Sequence, residues 1–152
     1  TTGTGEFAGA IVDNLTGTNK TQITKTGTGT WVLSGINTFT GYGDGFVLVN
    51  GQRVDRSIIV MPEALIQDWS ATTFDALTTA DLDVLAGLDR EVVLLGTGPA
   101  LRFPPPELMR PISARLAQSR AGLEVMDVQA ACRTYSILVA EGRKVAAALL
   151  MA

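Results

Sequence analysis

The feature that most constrains the fold is a pair of apolar strands that each run into a turn and then a helix. Residues 92–95 are Val-Val-Leu-Leu and lead into Gly96-Thr97-Gly98, while residues 123–126 are Leu-Glu-Val-Met and lead into Asp127. After Asp127 apolar residues recur at helical spacing, which predicts an amphipathic helix over residues 128–141. Strands joined through helices pair in parallel with right-handed crossovers. The pattern therefore predicts an α/β fold with a crevice at the carboxyl ends of these two strands.

Shorter signals place the other elements around this pair. The Asn50-Gly51 dipeptide supplies the positive φ angles of a tight turn, so it predicts a hairpin. Thr78 and Asp81 form a capping-box pattern, and Pro111 is expected to divide a later helix because it lacks an N–H group. The predicted strands cover residues 46–49, 52–54, 57–61, 91–95, 123–126 and 144–150, and the predicted helices cover residues 79–87, 128–141 and the stretch from the prolines at 104–106 to about 119. These elements give a mixed sheet with parallel core strands, crossover helices and an N-terminal antiparallel meander.

Composition excludes several classes of protein. The chain has 152 residues, of which 46% are hydrophobic and 18% charged, which is enough to bury a core. A net charge of −3 argues against binding to nucleic acid, whose partners usually carry a basic stripe. The apolar runs are too short to span a bilayer. We therefore expect a soluble α/β domain with no membrane span and a cytoplasmic location.

Histidine is absent from the chain and Cys132 is the only cysteine. These two facts remove the Ser-His-Asp triad, histidine-ligated metal sites, multi-cysteine metal sites and an internal disulfide. We expect no metal and no cofactor. Cys132 itself admits a nucleophilic or redox interpretation, but its place on the apolar face of the helix favours an inert buried thiol.

The first forty residues differ from the rest because they are rich in threonine and glycine and poor in charge. Within residues 1–41, the stretch 23–41 resembles the passenger-associated repeat of bacterial autotransporters, one rung of a parallel β-helix found in secreted or outer-membrane proteins. About three rungs are needed to bury a solenoid core, so this segment is not expected to form one. We therefore divide the chain into a short β-prone leader at 1–36 and an α/β domain at 37–152. The alternative is a generic threonine- and glycine-rich leader or fusion sequence.

The crevice residues form a candidate ligand site that has structural alternatives. Gly96, Thr97 and Gly98 could turn backbone N–H groups toward an anion, or form only a tight strand exit, since no P-loop or dinucleotide motif is complete. Asp127 suits a helix cap. Arg133 is a cation in the first half of its helix, where an internal carboxylate or a bound anion would offset the unfavourable dipole. Arg102 could close over an anion or be solvated. Trp69 and Phe74 could cover the edge of the core or anchor a partner.

Residues 37–152 resemble the domain of unknown function 498 family. The motifs that carry the resemblance, in chain order, are Thr40-Gly-Tyr-Gly-Asp-Gly45, Asn50-Gly51, Trp69, Gly96-Thr97-Gly98, Glu124-Val-Met-Asp127, Ala130-Ala-Cys-Arg-Thr-Tyr135 and Glu141-Gly-Arg143. Val128 and Ser136 depart from the Thr and Asn usual at those positions of the family. The resemblance implies a three-layer α/β domain and, for the mitochondrial branch of the family, a role in assembling respiratory complex I.

Two main functional hypotheses follow from these observations. The first is a non-catalytic interaction or assembly factor with a protein partner, which suits a chain that lacks histidine and a convincing nucleophile. The second is an enzyme or sensor that binds a small anion at Gly96-Thr97-Gly98, Asp127 and Arg133. A third, an autotransporter adhesin fragment, would need many more rungs than the leader supplies. Whether the protein is an enzyme stays open at this point.

Overall fold

The computed structural model describes residues 36–152, which form eight strands and three helices. The strands are β1 (Phe39–Gly43), β2 (Phe46–Val49), β3 (Gln52–Val54), β4 (Ile58–Met61), β5 (Ala64–Ile66), β6 (Val92–Gly96), β7 (Gly122–Met126) and β8 (Val145–Leu149). The helices are α1 (Thr79–Ala86), α2 (Pro106–Gln118) and α3 (Val128–Ala140). Within residues 36–152 no helix is both long and apolar enough to cross a membrane. The predicted leader at residues 1–36 lies almost wholly outside the described residues.

The strands form two sheets. The smaller sheet is antiparallel with the order β1-β2-β3, and the larger has the order β5-β4-β8-β6-β7. In the larger sheet β6 is parallel to both of its neighbours, β7 and β8, whereas β4 is antiparallel to β8 and β5. The predictions of a mixed sheet with parallel core strands and of an N-terminal antiparallel meander are both confirmed.

The larger sheet is the middle layer of three. Successive residues of a strand point to opposite faces, and β6 shows this directly. Val93 packs in a cluster with Leu82 of α1 and Ile112 of α2, whereas Leu94 packs in a second cluster with Tyr135 of α3. The second cluster also contains the buried residues of β2. Helices α1 and α2 therefore cover one face, and α3 with the small sheet covers the other, as the α/β prediction requires.

Local signals fixed the helix starts correctly. The side chain of Thr78 accepts a hydrogen bond from the backbone N–H of Asp81, and the carboxylate of Asp81 accepts one from the N–H of Thr78, which completes the predicted capping box. Helix α3 starts after Asp127, whose carboxylate accepts from the N–H of Ala130 at 2.8 Å. Both caps satisfy backbone donors that the first helical turn leaves without a partner.

Two strands and one helix differ from expectation. Strands β1 and β5 were not predicted, and the predicted division of a helix at Pro111 is wrong because α2 is continuous through it. Pro111 and Glu107, four residues earlier, are both exposed. The carbonyl that loses its helical partner at the proline therefore stays accessible to water.

Candidate functional site

The carboxyl ends of β6 and β7 lie side by side, as the sequence predicts. Gly96 pairs with Met126 at the last position of the parallel ladder. One residue further, the N–H of Thr97 donates to the carbonyl of Met126 at 2.9 Å, and the N–H of Val128 donates to the carbonyl of Gly98 at 3.0 Å. The glycine turn and the start of α3 are therefore one hydrogen-bonded unit.

The hydroxyl of Thr97 forms its hydrogen bonds with backbone groups inside the protein. Its side chain is fully buried, and its Oγ1 donates to the carbonyl of Ala100 at 3.0 Å and accepts from the N–H of Arg102 at 2.9 Å. The hydroxyl holds the loop after β6 in a closed turn. This internal network explains a threonine here without a ligand.

The two glycines of the turn have packing and backbone reasons of their own. A Cβ atom at Gly96 would lie 2.8 Å from Cδ2 of Leu149 and 3.3 Å from Cα of Val128, so only glycine lets α3 approach β6 this closely. Gly98 has a φ of 100°, in a region that side chains disfavour. The fold itself therefore requires glycine at both positions.

Arg102 contacts the loop before α1. Its guanidinium carbon lies 4.1 Å from the centre of the Phe74 ring, and Nη1 lies 3.4 Å from Oδ1 of Asp75. This is a cation–π contact combined with an exposed ion pair. The residues predicted for one crevice are therefore divided, with Arg102 over the loop before α1 and Asp127 and Arg133 on α3.

The aromatic residues that were considered as partner anchors are engaged by the fold. Trp69 is buried, and its indole Nε1 donates to the carbonyl of Asp81 at 3.0 Å. Phe74 packs against the core on the side of α1 and α2. Covering the edge of the core accounts for both rings.

Arg133 contacts a tyrosine where the sequence analysis expected a carboxylate. Its Nη1 donates to the hydroxyl of Tyr42 at 3.3 Å, and within residues 36–152 it forms no ion pair. The hydrogen bond to Tyr42 raises the pKa of Arg133, and the charge of Asp127 adds to this. Tyr42 lies on β1, ninety-one residues away along the chain. Sequence reasoning missed this partner because it did not predict β1.

Arg133 stands at the rim of a groove between β1 and α3, which we call the β1–α3 groove. Its volume is about 420 Å³. Residues 39–42 line one wall, and Cys132, Arg133, Ser136 and Ile137 line the other. Ile137 is 59% exposed and Tyr42 is 40% exposed, so the mouth of the groove has apolar surface in contact with water. Ser136 turns its hydroxyl back onto the carbonyl of Cys132 at 3.0 Å, which leaves the groove largely apolar.

A smaller cavity of about 160 Å³ lies beside the glycine turn. Gly98, Val128 and the Asp44-Gly45 turn of the first hairpin contribute to its lining. Among the described residues its lining holds one carboxylate, Asp44, and neither a lysine nor an arginine. An anion there would meet a like charge and have no cation to balance it.

Cys132 lies under the groove as a buried thiol. It is 1% exposed, and burial raises its pKa to about 12, an effect that the nearby charge of Arg133 partly opposes. A thiol with so high a pKa is a poor nucleophile at neutral pH. In the described part of the chain no group of three or more cysteine, aspartate or glutamate side chains is placed to hold a metal ion.

Two family models match the chain. One is described as "Protein of unknown function (DUF498/DUF598)" and matches residues 39–150. The other is described as "Passenger-associated-transport-repeat" and matches residues 23–50. The two overlap in β1 and β2, which form an antiparallel hairpin in the structure. Residues 39–50 of the repeat match are therefore part of the α/β domain.

A curated relative carries a functional name. The chain is 30% identical over 112 residues to "NADH dehydrogenase [ubiquinone] 1 alpha subcomplex assembly factor 3" of Drosophila melanogaster, an alignment that covers 73% of this chain and 57% of that protein. The chain thus spans less than two thirds of the length of this relative.

Solved structures share the fold. A Bordetella parapertussis protein is 41% identical with a TM-score of 0.69, and the match covers 80% of this chain and all 100% of that one. A Bordetella pertussis protein described as an Mth938-like domain is 34% identical with a TM-score of 0.64, over 82% of this chain and 92% of that one. The three-layer arrangement is thus a recurring one.

Proposed function

We propose that this chain, which belongs to the DUF498/DUF598 family of proteins of unknown function, is a non-catalytic interaction or assembly factor that binds a protein partner. The observation that carries the proposal is the match over 112 residues to a protein named as an assembly factor of NADH dehydrogenase. A role in assembling respiratory complex I is the specific form of the proposal, and it is taken from the name of that relative.

The geometry is compatible with binding and offers little for catalysis. The side chains of Thr97 and Asp127, at the carboxyl ends of β6 and β7, are hydrogen-bonded to backbone groups, and the thiol of Cys132 is buried. The exposed side chains of α3 that line the β1–α3 groove are Arg133, Ser136 and Ile137, and the hydroxyl of Ser136 is bonded to the helix backbone. A surface with an apolar centre and an arginine at its rim is typical of protein–protein contacts.

Deleting the gene for this chain in its host tests the proposal. We expect membranes from the deletion strain to contain less fully assembled NADH dehydrogenase on native gels, with smaller assembly intermediates in its place. Returning the full chain should restore the complete enzyme. Unchanged assembly and unchanged NADH oxidation in the deletion strain would refute the proposal.

A small anion at Arg133 is the second candidate function. It is favoured by one observation: the guanidinium is exposed and, within residues 36–152, is hydrogen-bonded only to a neutral hydroxyl. A ligand that binds only the folded state at 100 times its Kd stabilises it by about 2.7 kcal/mol. We therefore compare thermal unfolding in phosphate and in nucleotides for the wild type and Arg133→Ala. A rise in Tm that Arg133→Ala abolishes would favour the anion, whereas assembly-factor function predicts no such rise.

A further inference from the structure

We infer that the β1–α3 groove binds an extended segment of a protein partner, which adds a strand to the open edge of β1 and places an apolar side chain and a carboxylate in the groove. The inference rests on the proposed function and adds the surface and the chemistry of the partner. Three features of the described residues carry it: an edge strand, an aromatic pair turned toward α3, and an arginine without a carboxylate.

Strand β1 is the edge of the smaller sheet in the part of the chain that the structure describes. It pairs only with β2, in the order β1-β2-β3. In an antiparallel ladder alternate residues bond to the neighbour and the others point away from it. The two-residue hairpin closes on the pair Gly43 and Phe46, so this alternation directs the N–H and C=O of Tyr42 toward the open edge. An extended peptide uses such groups when it adds to a sheet.

A bulge turns both aromatic residues of β1 toward α3. The register shifts between Phe39 and Gly41, so Phe39 lies opposite Val49 and Tyr42 lies opposite Val47. Residues directly opposite each other in a ladder share a face, and Val47 and Val49 are buried against α3. Without the extra residue Phe39 and Tyr42, three apart, would point to opposite faces.

The two rings then have different surroundings. Phe39 lines the groove and packs edge-on against Tyr135 with ring centres 5.0 Å apart. Tyr42, which is 40% exposed, and Ile137, which is 59% exposed, also line the groove. An apolar side chain entering between them would bury surface that now faces water.

The charge at the rim selects the partner. Arg133 has no ion pair among residues 36–152, and it is the one cationic side chain that lines the β1–α3 groove. The other described arginines without an ion pair do not line the groove; they are Arg53, Arg56, Arg110 and Arg120. Arginine binds a carboxylate through two parallel N–H donors, a stronger contact than its bond to the Tyr42 hydroxyl. Inward-facing positions of an added strand are two residues apart. The partner segment therefore has an apolar residue and an acidic residue at positions i and i+2.

The probe is a fluorescein-labelled peptide of seven residues with the sequence Thr-Val-Thr-Asp-Thr-Val-Thr. The matched peptide carries lysine in place of aspartate. Fluorescence anisotropy is measured with the full chain as titrant. We expect the aspartate peptide to bind at least tenfold more tightly than the lysine peptide, and Arg133→Glu to remove this preference.

Matched variants separate the groove from general surface effects. Arg110→Glu makes the same charge change on α2, and Val84→Ser removes an exposed apolar residue of α1, both in the opposite layer. Neither should change binding, whereas Ile137→Ser should weaken it at least threefold. Strand addition makes one more demand: methylating one alternating set of peptide amides should abolish binding, and methylating the other set should not.

Each outcome has a definite meaning. Absence of saturable binding of the aspartate peptide, equal binding by Arg133→Glu and the wild type, or equal effects of both methylated peptides would overturn the inference. A chain carrying Arg133→Glu and Ile137→Ser that fully restores NADH dehydrogenase assembly in the deletion strain would also overturn it while leaving the proposed function intact. Unchanged assembly in the deletion strain would instead refute the proposed function, whatever the peptides do.

Discussion

Replacing Cys132 with alanine should remove part of the protein's sensitivity to alkali. The thiol is 1% exposed, and burial raises its pKa to about 12 from an ordinary value of 9.0. A group whose pKa is higher in the folded state than in the unfolded state favours folding fully below the unfolded pKa. That contribution is lost as the pH rises from 9.0 toward about 12.

The size of the effect follows from these two values. At pH 10 most unfolded chains carry the thiolate while the folded thiol is still protonated, so the free energy of unfolding falls by about 1 kcal/mol relative to pH 7. Burial also raises the pKa of Tyr135, but that phenol is present in both proteins and its effect cancels in the comparison.

Urea unfolding of the wild type and Cys132→Ala, at pH 7 and pH 10 with a reductant present, measures this difference. We expect the wild type to lose about 1 kcal/mol more than the variant between the two pH values. Equal losses of unfolding free energy in the two proteins would refute the conclusion that the thiol is buried with a raised pKa. Rapid alkylation of the native protein at neutral pH would do the same and would revive Cys132 as a nucleophile.

Four further predictions test other parts of the structure. Gly96→Ala should destabilise the fold by about 1–3 kcal/mol in urea, because its Cβ would press on Leu149, and an unchanged midpoint would mean that α3 can move away from β6. Asp81→Asn should lower the free energy of unfolding by about 1 kcal/mol at pH 7 and by less in acid. Burial alone would raise the pKa of Asp81, but hydrogen bonds from Ser70 and Thr78 together outweigh it and lower the pKa, so the stability that the carboxylate contributes is lost as the pH falls. A loss of stability that does not depend on pH would contradict this. Tyr135→Phe should cost about 1 kcal/mol because the hydroxyl donates to the carbonyl of Asn37 at 2.9 Å, and wild-type stability would show that water replaces it. A chain beginning at Asn37 should melt where the full chain does, and failure to fold would show that the leader and the α/β domain were divided wrongly.

Elements with strong local signals could be predicted from the sequence. Asn50 and Gly51 adopt φ angles of 52° and 81°, as the Asn-Gly hairpin requires. Thr78 and Asp127 cap the helices that follow them. In each case the residues that determine the conformation are at most three positions apart, so the information is local.

Strand β1 could not be predicted because its glycines are required by close contacts with the neighbouring strand of the hairpin. A Cβ at Gly43 would clash with the ring of Phe46, and one at Gly41 would lie 3.1 Å from the side chain of Leu48. Isolated from those neighbours, Gly-Tyr-Gly-Asp-Gly is typical of a turn. Cross-strand packing overrides that preference, and the bulge at this strand has no sequence signal of its own.

The environment of Arg133 shows why the fold of this chain is easier to predict than the contacts of its exposed side chains. Carboxylates near Arg133 in sequence were reasonable partners, yet its contact comes from a strand ninety-one residues away. That contact is a 3.3 Å hydrogen bond to a neutral hydroxyl at an exposed position, so it restrains the guanidinium only weakly. Removing Arg133 should consequently leave the urea midpoint of the protein unchanged. A binding defect in an Arg133 variant can then be attributed to the lost contact with the partner, because the folded state is the same.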